Sequence, residues 1–129
     1  MNAPSEDIRN MLEAESSLGL VFAENLFLNA EPTNPDDAVT IFDTYGRPQM
    51  SLDGSIYEYP SIHIRVRSRD ELDAKNLAYD IMNLLNGKHH ESHGEALYTV
   101  IYCSGSPALL DWDDNGRCKF GVNFSLQRR

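Results

Sequence analysis

The sequence predicts an α+β domain: a mixed, largely antiparallel β-sheet with one long helix and an N-terminal helix packed on it. Three observations lead there. Strand-like runs follow one another through short turns, and only one long amphipathic run separates them. That order suits a sheet with helices on one face better than a doubly wound parallel sheet. The lengths also agree, since a helix of about 16–18 residues spans roughly 25 Å and a seven-residue strand roughly 23 Å, as two stacked layers require.

Residues 5–17, SEDIRNMLEAESS, open with Ser5 as an N-cap behind Pro4 and set Ile8, Met11 and Leu12 on one helical face, with Gly19 near the stop. Strands are expected at 25–29 and 38–43, parted by a turn containing Pro32, Asn34 and Pro35. Residues 44–58 read as loop, with Asp53-Gly54 of the sort that closes a tight hairpin. The run YPSIHIRVRS then alternates, placing Ile62, Ile64 and Val66 inward and His63, Arg65 and Arg67 toward solvent.

Ser68 and Glu71 have the spacing of a capping box, and Asp70, Glu71 and Asp73 crowd the positive end of the helix that follows. Ala74, Leu77, Ala78, Ile81, Met82 and Leu85 recur at the helical period, and Gly87 supplies the stop. LYTVIYCS, residues 97–104, is apolar on both faces and is expected at the centre of the sheet. KFGVNFSLQ, residues 119–127, alternates through Phe120, Val122, Phe124 and Leu126. With no internal repeat and no linker, residues 1–129 read as a single domain.

A chain of 129 residues with 41% hydrophobic and 24% charged residues buries roughly two thirds of its unfolded surface without needing a staple. No run of 18 apolar residues occurs, and MNAPSEDIRN carries acids where an export signal needs bases, so neither a membrane span nor secretion is expected. Cys103 and Cys118 are accordingly expected to be buried and reduced. The formal charge of −9 is concentrated: residues 1–37 hold eight acids against Arg9 alone. Such a surface repels nucleic acid, which disfavours tight DNA binding.

DWDDNG, residues 111–116, matches the opening of an EF-hand calcium loop through Asp111, Asp113, Asn115 and Gly116. The match fails at its far end, where Val122 stands in place of the bidentate glutamate and the flanks alternate like strands. Asn115-Gly116 between strand-like runs instead marks a hairpin tip. KHHESHGE, residues 88–95, spaces His89 and His93 as HExxH proteins do, but Gly87 and Gly94 bracket the run and it reads as a polar loop. No nucleophile elbow, Walker loop or dinucleotide fingerprint is present, so neither an enzyme nor a cofactor is expected. Trp112, the single tryptophan, either closes the end of the core or lies exposed to anchor a partner; the core position is the first expectation.

Taken together, SEDIRNMLEAESSLGL, VTIFDT, YEYPSIHIRVR leading into the long helix, LLDWDDNGR and the closing F-x-V-N-F-S-L-Q-R-R resemble the small tail terminator proteins of long-tailed bacteriophages, also called minor capsid or tail completion proteins. The resemblance implies a virion protein at the head-proximal end of the tail, assembled in the host cytoplasm. It implies a homohexameric ring that sits on the last ring of tail tube protein, ends tube growth and meets the head-completion (connector) proteins. DNA passes through such a lumen without specific binding. A ring subunit must meet its neighbours, and Arg65, Arg67 and Arg69 form a stripe suited to an acidic surface next door. The N-terminal segment, or Asp111, Asp113 and Asp114 around Trp112, supplies one. Two other classes compete: a calcium-dependent binding module built on 111–116, and a small metal-dependent hydrolase using His89, Glu91 and His93.

Overall fold

The computed structural model describes residues 2–47 and 57–129. Helix α1 (Pro4–Ala14) leads through a 3₁₀ turn at Ser16–Leu18 to strands β1 (Leu26–Leu28), β2 (Ala38–Arg47) and β3 (Tyr59–Ser68). Helix α2 (Glu71–Leu85) follows, and then β4 (Glu91–His93), β5 (Ala96–Cys103), β6 (Ala108–Trp112) and β7 (Cys118–Arg128). The sheet runs β1-β2-β3-β7-β5-β4, with β6 also paired to β7. Among the named strands of the described residues, β1 pairs with β2 in parallel and the remaining pairings are antiparallel. The expected α+β class is therefore what the chain forms. The expected Asp53-Gly54 turn lies outside the described residues.

Alternation builds the core. Val39 and Ile41, Ile62, Ile64 and Val66, and Phe120, Val122, Phe124 and Leu126 all bury toward one side. There they meet Ile8, Met11 and Leu12 of α1 and Ala74, Ala78, Ile81 and Leu85 of α2. Helix α1 packs on β1, β2 and β3, and α2 on β3, β7 and β5. Both helices thus cover one face, leaving the other to loops and solvent. No helix among the described residues is long and apolar enough to cross a membrane. Cys118 is a buried free thiol and Cys103 a half-buried one.

Several local expectations need correction. The cap of α1 is Ala3, not Ser5: Pro4 takes the first helical position, and Ala3 N donates back to Glu6 Oε2 at 3.0 Å. Ser5 instead gives both its backbone N–H (2.9 Å) and its hydroxyl (2.6 Å) to Asp43 on β2. The cap of α2 is Asp70, whose Oδ1 accepts from Leu72 N at 2.9 Å and Asp73 N at 3.2 Å. Ser68 cannot serve because it is still in β3, opposite Cys118. Strands β1 and β2 run parallel, so the segment between them must return the chain along the sheet. Strand β5 is not central; β3 and β7 hold the middle, while β4, inside the expected polar loop, pairs on the outer side of β5.

Candidate assembly interface

The DWDDNG run is the tip between β6 and β7. Asp113 Oδ1 accepts from Asn115 N at 3.0 Å and Arg117 N at 2.9 Å, and its Oδ2 accepts from Arg117 Nε at 2.8 Å. Gly116, with φ of +74°, turns the chain back. The backbone N–H of Arg117 leads the donors that hold the Asp113 carboxyl below the usual carboxylate range. Both of its oxygens are occupied by the protein itself, in a turn that the short carboxylate side chain favours.

The segment joining β1 to β2 folds over the sheet beside this tip and gathers the cations. Arg67 was expected toward solvent, but it is only 2% exposed. Its guanidinium donates to the carbonyls of Pro32 (2.6 Å), Pro35 (2.5 Å) and Asp36 (3.3 Å). Arg69 Nε donates to Asp36 Oδ2 at 2.6 Å and its Nη1 to Asn115 O at 2.7 Å. The Arg69 hydrogen bond is the main cause of a lowered Asp36 pKa. Arg117, also buried, reaches the Thr33 carbonyl, and Lys119 pairs with Glu31 at 2.9 Å. Arg67, Arg69 and Asp113, all expected at a subunit contact, are thus engaged inside their own chain.

What remains unsatisfied is more selective. Arg65 lies with its guanidinium 5.0 Å from the Phe42 ring centre and has no carboxylate partner among the described residues. Asp111 and Asp114 are exposed and likewise unpaired among the described residues. Trp112, expected to close the core, is 49% exposed, because its strand lies beyond the cover of the helices.

That strand, β6, is the feature sequence reasoning did not delimit. The outer edge of β7 is divided: β5 pairs along Phe124–Arg128 and β6 along Cys118–Gly121. All five β6 residues are exposed, Leu109 at 44% and Leu110 at 45%. Its far side pairs with no strand among the described residues. Natural sheets guard such edges with lysine, proline or inward charges. ALLDW has none of these, and its one charge is Asp111. An apolar pentapeptide closed by an Asn-Gly turn is the signal that could have marked it.

Beside β6, the helix-free face of the sheet carries Phe42, His63, Arg65 and Asn123. His63 Nδ1 and Asn123 Oδ1 are 2.8 Å apart, and the Phe42 and His63 rings are 6.2 Å apart. Gly121 forms the floor. A Cβ there would sit 2.6 Å from His63 Cε1 and 2.9 Å from Leu110 Cδ1, so only glycine lets these side chains lie flat on the strand.

Comparison with curated protein sequences gives no match. The structure is similar to a chain in the virion of a native gene transfer agent particle. Its TM-score is 0.71, over 98% of this chain and 94% of that one, at 13% sequence identity, a likeness of fold. The family model described as bacteriophage tail terminator protein matches residues 9–128, from the middle of α1 to the last residue of β7. The chain therefore belongs to the bacteriophage tail terminator family and is a structural protein of the phage tail.

Proposed function

We propose that this protein caps the head-proximal end of the tail tube as a homohexameric ring, ends polymerisation of the tube protein and offers a surface to the head-completion proteins. The observation that carries the reading is the unguarded apolar edge of β6 in a chain of this family. Three large apolar side chains on an unpaired edge strand are a liability in a free subunit and an asset in one built to be covered. Assembly takes place in the host cytoplasm before the tail joins the head. The formal charge of −9 per subunit suits a lumen through which DNA moves without adhering.

Growing tail tubes in the presence and absence of the protein, and imaging them by electron microscopy, tests the proposal. A six-fold ring on one tube end, with elongation stopped there, is the expected result. Tubes that grow on unchanged and carry no added density would sink it.

A further inference from the structure

Resting on that ring reading, we propose that the β6–β7 hairpin of each subunit seats on the helix-free sheet face of its neighbour, with Asp111 and Asp114 of one copy meeting Arg65 of the next.

The two surfaces are complementary and both are on this chain. The hairpin presents Trp112, Leu109 and Leu110 with two carboxylates that have no partner among the described residues. The sheet face presents an aromatic ring, Phe42, with the Arg65 guanidinium stacked over it. Most other cations are paired with carboxylates inside the chain: Arg67 with Glu31, Arg69 with Asp36, Arg117 with Asp113, Lys119 with Glu31 and Arg128 with Glu58. Lys75 stands on α2, and Arg129, past the end of β7, has its guanidinium 5.8 Å from the Tyr57 ring centre. Arg65 stands in the middle of β3, opposite Gly121 on the helix-free face.

A face meeting a different face of an identical copy is a head-to-tail contact, the kind that closes into rings. Pairing β6 with β6 across a two-fold axis would instead set acid near acid.

Charge reversal tests this. Arg65→Asp alone, and Asp111→Arg with Asp114→Arg, are each expected to cut ring yield on tail tubes by roughly tenfold or more, since like charges then face each other. Combining all three changes restores rings to near the wild-type yield. Trp112→Ser, on a side chain outside the core, supplies a variant that keeps its fold and also loses rings. Fluorescence of Trp112, the single tryptophan, shifts to shorter wavelength as the wild type assembles. Absence of wild-type rings ends both the ring reading and this one. Wild-type rings that persist in Arg65→Asp, or no rescue by the combined reversal, overturn this contact alone.

Discussion

The Tyr98 hydroxyl donates to Asp7 Oδ2 at 2.6 Å, joining the first helix to the fifth strand across 91 positions of sequence. Both residues are fully buried. Arg128 Nη1 stands 3.2 Å from the Tyr98 oxygen and 3.7 Å from Asp7, and also donates to Asn2 O at 2.9 Å. The N-terminal helix is therefore held by a buried charge pair bridged by a phenol. Removing one member leaves the others desolvated and short of partners. Tyr98→Phe is expected to cost about 1–3 kcal/mol and Asp7→Ala about 3–5 kcal/mol. Urea unfolding midpoints measure both.

The same phenol sets an alkaline limit. Burial first, and then its bond to Asp7, push the Tyr98 pKa above the ordinary 10.0. A native pKa above the unfolded one means that the contribution is fully present below about pH 10 and is lost as pH rises beyond it. Stability of the wild type should fall more steeply above pH 10 than that of Tyr98→Phe. Equal slopes in urea titrations across that range would refute the assignment.

At low pH the opposite sign applies. Asp36 and Asp113 have lowered pKa values, the first mainly through the Arg69 hydrogen bond and the second mainly through the Arg117 backbone N–H. Their contribution is intact above the ordinary value of 3.8 and disappears as pH falls below it toward the native values. The hairpin tip and the β1–β2 segment should loosen together on acidification. Hydrogen exchange of the Asn115 and Arg117 amides, compared between wild type and Asp113→Asn, reads this directly.

Calcium should have no effect on the isolated protein. Asp113 already uses both oxygens on its own chain's donors, and Val122 stands where an EF-hand places its bidentate glutamate. Calorimetric titration with calcium is expected to show no binding heat, and Asp113→Ala should lower the melting temperature equally with and without the ion. A calcium-dependent rise in melting temperature that Asp113→Ala abolishes would overturn this.

Assembly of the proposed ring should strengthen as salt rises from low to physiological levels. Each subunit carries a formal charge of −9, and repulsion between exposed charges is screened over about 8 Å at physiological ionic strength but over about 30 Å at 0.01 M. A desolvated Arg65–Asp111 contact is screened far less. Native mass distributions across a salt series check the balance, and a ring population that only declines with added salt would contradict it.

Regular patterning made much of this architecture legible. Ile62, Ile64 and Val66, the apolar stripe of α2 and the alternation of Phe120 to Leu126 each declare a buried face within a few residues. The DWDDNG turn was also readable, because its chemistry is local. Arg67 was not: its strand alternates outward, and only the segment folded over it from thirty-odd residues earlier makes it buried. Asp7 looked like one more solvated acid, since its partners Tyr98 and Arg128 are distant in sequence. Three-residue β4 is too short and polar to declare a period. Strand β6 hides its nature for another reason, since it is an edge with no buried side and hence no alternation to read. The same lack of cover that concealed it from pattern marks it as the candidate contact.

The pairing of β3 with β7 has a consequence for the protein's synthesis. Ser68 lies opposite Cys118, so the middle of the sheet waits for about fifty further residues, some 3–10 s at ribosomal speeds of about 5–20 residues per second. Through that interval one side of β3 has no strand beside it, and Ile62, Ile64 and Val66 lack half of their eventual neighbours. The nascent chain is at its stickiest then. Chaperone capacity during translation, more than the stability of the finished subunit, is what should limit the yield of folded protein.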